Sequence, residues 1–387
     1  TFSRRQQRRN SPAPEKMKPI PVNEPLLDGN ERQYLLECID TGWISSEGPF
    51  VQRLEAGIAQ RVGRRHAVAV TNGSAALEAA VVALGLGPGD EVILPTFTII
   101  SCAAAVVRAG ATPVLVDSDP LTWNMDVVQV AAAITPRTRA IMAVHVYGLP
   151  VDMDPLLALA HEHGLMVIED AAEVNGQTYC GRPCGSFGDI SVLSFYPNKL
   201  VTTGEGGMLL MDDDKLAERC RSLRNLCFQP NRRFVHEELG WNLRMSNLQA
   251  AVGVAQLERL EKFVAIKRRM GSRYSQHFCE LAELELPSAS TTGAENIYWV
   301  YGVVLADAVP FDAAEAIRRL AALGVGTRPF FWPMHEQPVF RRMGLFEGTR
   351  YPVAERLARR GFYLPSGLAL NAAQLDYVAS ALREVVR

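Results

Sequence analysis

The sequence predicts an α/β fold, with a large domain built on a mostly parallel sheet and a smaller C-terminal α+β domain. Three observations carry this reading. Short apolar runs alternate with helical stretches from residue 66 to residue 211. The runs are apolar along their whole length, as strands covered on both faces are. After residue 246 the alternation gives way to long helical stretches around a single clear strand.

Taken in order, HAVAVT (66–71) is a strand and GSAALEAAVVALG (73–85) a helix. EVILP (91–95) and PVLVDS (113–118) are strands on either side of the helix TIISCAAAVVRAG (98–110). DVVQVAAAI (126–134) is a helix, TRAIMAVHV (138–146) a strand, PLLALAHEHG (155–164) a helix and LMVIED (165–170) a strand. DISVLSF (189–195) and GMLLM (207–211) add two short apolar strands. Helices of about ten residues between buried strands require crossover connections and hence parallel pairing. Beyond them, residues 246–278 carry apolar residues at helical spacing over one long stretch. IYWVYGVVL (297–305) is a strand, FDAAEAIRRLAALG (311–324) a helix, and a last helix closes the chain near AAQLDYVASALREVV.

A chain of 387 residues exceeds what one core usually serves, so two interlocked domains are expected, residues 17–262 and 263–387. The first sixteen residues, TFSRRQQRRNSPAPEK, are basic and lack an apolar segment, so they do not read as a secretory signal. They read as a disordered tail or an expression remnant, with a transit peptide as the alternative. A net charge of −2 gives no reason to expect a nucleic-acid partner. No run of 18 apolar residues suggests a membrane span. Seven scattered cysteines, an odd number without a disulfide framework, point to a reducing, cytoplasmic setting. Cys180 and Cys184 lie four apart, but no second pair or histidine couple completes a zinc set, and no metal is expected.

Several nucleotide and metal motifs are missing. No G-x-G-x-x-G follows a strand, no G-x-x-x-x-G-K-[ST] occurs, and no histidine–glutamate pair extends to H-E-x-x-H. Three other features remain. TNGSAALEAA puts Gly73 and Ser74 at the start of the helix after the first strand, where free N–H groups and the helix dipole suit a phosphate. LMVIEDAAE ends a strand on Glu169 and Asp170, so at least one carboxylate reaches the carboxyl edge of the sheet, where ligands of such sheets bind. SFYPNKLVTTGEGG sets Lys199 between an apolar strand and a glycine-rich turn. Each has an ordinary explanation alone: a helix cap, a turn cap, a snorkelling lysine. Together they are the three attachments of pyridoxal 5′-phosphate: a phosphate seat, an acid for the pyridine nitrogen, and an amine for the aldehyde.

The chain also resembles the DegT/DnrJ/EryC1/StrS family of sugar-nucleotide aminotransferases, from about Met17 to the C-terminus. The motifs that carry the resemblance are GWISSEGPFV (42–51), VTNGSAAL (70–77), GPGDEVILPTFT (87–98), VIEDAAE (167–173), SFYPNKLVTTGEGG, GWNLRMSNLQAA (240–251) and TRPFFWPMHEQPVF (327–340). It implies the aminotransferase fold of type I, with Lys199 as the cofactor-linked amine and proton carrier and Asp170 on the ring nitrogen. Gly73, Ser74 and Ser194 would bind the phosphate, and Glu173 would lie near the ring's hydroxyl edge. Asn242 would reach the phosphate of a neighbouring subunit, making a homodimer with shared sites that could pair into a tetramer. Trp43, Ser45, Thr96 and His335 would line the sugar pocket, and Arg232 and Arg233 would take the nucleotide diphosphate.

The narrower likeness of DSDPLTWNMD (117–126), QPNRRFVHEELGWN (229–242) and RPFFWPMHEQP implies a GDP-linked 4-keto-6-deoxymannose as substrate and L-glutamate as amino donor. A UDP- or dTDP-linked keto sugar, amination at C3, and dehydration of the sugar are the alternatives; sugar dehydratases of this group carry histidine where Lys199 stands. Two departures stand out: Ile99 occupies the place of an aromatic residue that stacks on the cofactor, and Asn175 that of a histidine.

Overall fold

The computed structural model describes residues 18–229 and 231–387, so the N-terminal tail read from the sequence lies outside the described residues. Seven strands form the larger sheet: β1 (His66–Val70), β2 (Glu91–Pro95), β3 (Thr112–Val116), β4 (Thr138–Val144), β5 (Met166–Asp170), β8 (Ile190–Ser194) and β9 (Gly207–Met211). A two-stranded hairpin, β6 (Thr178–Tyr179) and β7 (Arg182–Pro183), interrupts the series. The order across the large sheet is β1-β9-β8-β5-β4-β2-β3. Only β9 runs against its neighbours, so the other six strands bring their carboxyl ends to one edge.

Alternate residues of each strand enter different cores. Ala67 and Ala69 of β1, Ile141 and Ala143 of β4, and Met208 and Leu210 of β9 share a core with Phe50, Leu54 and Ile58. Their neighbours Val68, Val70, Ala140, Met142, Leu209 and Met211 pack on the other face against Ala76, Ala80, Cys102 and Val106. This two-sided burial is why the strands read as unbroken apolar runs. A second sheet, β10 (Leu284–Glu285), β11 (Tyr301–Leu305), β13 (Gly361–Leu364) and β12 (Arg328–Pro329), is antiparallel. It has its own core around Tyr274, Phe278, Tyr301 and Phe362, covered by the helices Leu260–Phe278 and Ala372–Val386.

Three readings of the sequence need correction. The stretch 246–278 is two helices, Asn247–Leu257 and Leu260–Phe278. At the break, Glu258 accepts from Tyr34 Oη (2.7 Å) and Asn30 Nδ2 (2.8 Å), and Arg259 pairs with Asp28, so contacts to the N-terminal stretch override local helix preference. The strand expected over 297–305 begins only at Tyr301, because Tyr298 sits at φ +51 and turns the chain. Finally, the helices Glu31–Thr41, Pro49–Val62 and Asp214–Arg224 were not anticipated. The second of these has proline in its first turn and left-handed Gly63 just past its end, both readable signals. Among the described residues no helix is long and apolar enough to cross a membrane.

Candidate active site

A cavity of about 540 Å³ opens at the carboxyl edge of the large sheet. The helix Gly73–Ala83 starts there, directly after β1. Asn72 caps it, its Oδ1 accepting from Ala75 N at 2.8 Å. The N–H groups of Gly73 and Ser74 therefore lie in a first turn that offers them no intrahelical acceptor. Ser74 Oγ is 2.6 Å from Ser101 Oγ, and a Cβ at Gly73 would stand 2.9 Å from Ser194 Cβ. Glycine is thus what lets the helix start close against the end of β8. Gly73, Ser74 and Ser194 all line the cavity.

Asp170 ends β5 and is 3 % exposed. Its Oδ1 accepts from Ala172 N (3.1 Å) and its Oδ2 from Cys102 Sγ (3.3 Å). Burial raises its pKa, and these two donors and the Lys199 charge only partly offset that. Glu169, one residue earlier, points to the opposite face. It accepts from Gly185 N (2.6 Å), Phe187 N (2.8 Å) and Ser191 Oγ (2.7 Å). His145 Nδ1 accepts from Val151 N at 3.0 Å, which puts the ring proton on Nε2, 3.0 Å from Glu169 Oε1. Of the two acids at the strand end, Asp170 alone faces the cavity.

Lys199 follows β8 and reaches back into the cavity. Its Nζ stands 3.5 Å from Glu173 Oε1 and 3.7 Å from the ring centre of Trp299. Burial lowers its pKa, and Glu173 and Asp170 oppose that shift. Glu173 accepts from Tyr147 N at 2.9 Å, yet burial pushes its carboxyl up to about 7 against the pull of Lys199. A folded-state pKa above the ordinary 4.5 favours the native state below that value and is lost as pH rises through about 7. The shift corresponds to about 3 kcal/mol at most. Glu173→Gln is expected to flatten the thermal stability of cofactor-free protein between pH 4.5 and about pH 7; an unchanged slope would contradict the raised carboxyl.

The residues expected in the sugar pocket are not among those that line this cavity. Thr96 and His335 are buried and satisfy each other, Oγ1 to Nδ1 at 2.9 Å, while His335 Nε2 faces Glu355 at 3.2 Å. Neither lines the cavity, because the segment Met334–Glu336 docks on the end of β2 through Met334 N and Thr96 O. Trp43, Ser45, Arg232, Arg233 and Asn242 are exposed and also lie outside the cavity lining. Arg233 rests against the rings of Phe228 (5.6 Å) and Phe234 (5.8 Å). Ile99 does line the cavity, whereas Asn175 is buried beside a separate crevice near Arg61 and Glu261, so only one of the two departures falls on this site.

The residues that sequence reasoning missed are aromatic. Trp299, Phe331 and Tyr363 close one side of the cavity. Trp299 was hidden inside an apparent strand, and Phe331 inside the TRPFFWPM motif without a role. Cys102, the donor to Asp170, looked like one more apolar helix residue.

An anion seat, a buried acid with no cation hydrogen-bonded to it among the described residues, and a buried amine fit pyridoxal 5′-phosphate in chemistry and placement. That cofactor, at the carboxyl edge of a mostly parallel sheet, defines the class of protein: a pyridoxal-phosphate-dependent aminotransferase. The chain belongs to the DegT/DnrJ/EryC1/StrS aminotransferase family, whose model matches residues 25–383. It is 46 % identical over 368 residues to GDP-perosamine synthase of Caulobacter vibrioides, covering 95 % of this chain and 98 % of the relative. GDP-perosamine synthase of Escherichia coli O157:H7 is 39 % identical, covering 95 % and 99 %. Among solved structures, DesV of S. venezuelae superposes with a TM-score of 0.86 at 35 % identity, covering 92 % of this chain and 95 % of that one.

Proposed function

We propose that the protein transfers the amino group of L-glutamate to C4 of GDP-4-keto-6-deoxymannose, yielding GDP-perosamine and 2-oxoglutarate. The observation that carries this reading is Lys199 Nζ, buried in one cavity with Asp170 and held 3.5 Å from Glu173. The two relatives named GDP-perosamine synthase support the choice of substrate.

When bound, the cofactor supplies an electron sink that makes the proton on the substrate's amine-bearing carbon removable. This chain's residues do the rest. The first-turn N–H groups of Gly73 and Ser74, with Ser194, hold the phosphate. Asp170 would keep a proton on the ring nitrogen, its buried carboxyl accepting from Ala172 N and Cys102 Sγ. Lys199 Nζ takes a proton from one carbon and returns it to another; burial keeps its pKa low enough to do so. Glu173 orients that amine. Ile99 would offer apolar surface to the ring, while Trp299, Phe331 and Tyr363 would exclude water.

The sugar and its diphosphate are read by residues this chain cannot bring to its own cavity. A homodimer resolves this: Asn242, on an exposed segment, reaches the neighbour's phosphate, and Arg232 and Arg233 offer guanidinium forks to the neighbour's nucleotide. Thr96 and His335 act from beneath, fixing the end of β2. Seven free cysteines accord with a cytoplasmic enzyme. Asn242→Ala is expected to weaken cofactor binding about 5- to 30-fold in a fluorescence titration of unloaded protein; unaltered affinity would argue against the shared site. The substrate is tested by offering glutamate with GDP-, UDP- and dTDP-4-keto-6-deoxy sugars in parallel. Product mass and NMR should show 4-amination of the GDP sugar; turnover confined to another nucleotide, or an amine at C3, would overturn the reading.

A further inference from the structure

Lys267 lies on the helix Leu260–Phe278 and is 1 % exposed. Among the described residues no carboxylate pairs with it. Its Nζ donates to Trp299 O at 2.7 Å and to Ser366 O. Two carbonyls match the two N–H bonds of a neutral amine, and burial draws its pKa down to about 7. A buried amine without a counter-charge costs stability, so it persists where it fixes something.

What it fixes is an irregular stretch. Tyr298 turns the chain at φ +51, and its ring packs so close to the same helix that a Cβ at Gly271 would fall 2.3 Å from it. Trp299 is then held at both ends. Lys267 grips its carbonyl, and its indole Nε1 donates to Asn198 O at 2.7 Å. Its ring face stands 3.7 Å from Nζ of Lys199, the residue after Asn198. The pinned indole is the wall of the cavity on that side.

We propose that Lys267 is a positioning residue for the active-site amine: by fixing the Trp299 carbonyl it holds the indole over Lys199 Nζ and shields that face from solvent. The inference rests on Lys199 being the reactive amine, but its test needs neither cofactor nor turnover, so the two can fail separately. Cofactor-free protein is acetylated with acetic anhydride at several pH values. Per-residue rates, extrapolated to the neutral amine, are read by mass spectrometry against surface Lys262. Trp299→Leu should speed labelling of Lys199 about 5- to 30-fold, because the ring no longer shields that face of the amine. Lys267→Met should do the same by a similar factor, and the double variant should go no further than Trp299→Leu alone. Lys267→Gln, whose amide keeps two N–H donors on a shorter side chain, should fall between. Unchanged Lys199 labelling in Trp299→Leu would overturn the proposal, even if Lys267→Met failed to fold by circular dichroism. So would factors that multiply in the double variant, or a Lys267→Met protein that melts earlier but labels Lys199 like wild type.

Discussion

Lys199→Ala is expected to lose transamination by about 10⁴-fold or more, because one side chain supplies both the attachment to the cofactor and the proton transfer. Proton transfer alone accounts for about 10²- to 10⁴-fold. The loss should fall on kcat, since the phosphate seat at Gly73 and Ser74 and the acid at Asp170 remain to bind the cofactor non-covalently. The fold should survive. Nζ makes one 3.5 Å contact with Glu173 and one with the Trp299 ring, and neither ties secondary structure together. Removing the ammonium also removes the charge that pulls the Glu173 carboxyl down, so that carboxyl should titrate still higher. Rapid-mixing absorbance after adding glutamate measures the first half of the reaction. Turnover within tenfold of wild type would refute the assignment (a threshold on the order of one RT-scaled tenfold step).

Asp170→Asn carries the second largest effect. The carboxylate is buried, accepts from Ala172 N and Cys102 Sγ, and has no cation within hydrogen-bond reach among the described residues. Such an acid is poised for a charged group that arrives with the ligand. Asparagine keeps the shape and can still accept from Ala172 N, but it no longer holds a proton on the ring nitrogen. Loss of one preorganised charge at a reacting centre costs about 10²- to 10³-fold in kcat. Thermal stability of the unloaded protein should hold or rise, because an unpaired buried charge has been removed. Wild-type rates would mean that another acid serves the ring. The candidates are few: Glu169 is engaged on the opposite face by His145, Ser191 and two backbone N–H groups, and Glu173 stands beside Lys199.

The seven strands of the large sheet were legible because burial on both faces writes the same unbroken apolar run each time. The anion seat, Asp170 and Lys199 were legible for a related reason. All three sit where a strand ends, and strand ends are the best-marked points in such a chain. What stayed hidden depends on contacts between distant segments. The break at Glu258 and Arg259 is set by Asn30, Tyr34 and Asp28, some 230 positions away in sequence and invisible to any local pattern. Trp299 left its apparent strand because Lys267 and Asn198 draw it inward. Thr96 and His335 were read as pocket residues, but a buried histidine between a hydroxyl and a carboxylate is held by its partners and turned from the cavity. Asn242, Arg232 and Arg233 lie on exposed segments, and the ligands proposed for them belong to the site of a second copy of the chain.

One measurement addresses the central claim, that a pyridoxal cofactor is joined to this chain through Lys199. Protein loaded with pyridoxal 5′-phosphate is reduced with borohydride, digested and mapped by mass spectrometry. A single phosphopyridoxyl adduct on the peptide bearing Lys199, absent from Lys199→Ala, is the predicted result. An adduct on another lysine, or none at saturating cofactor, would contradict it.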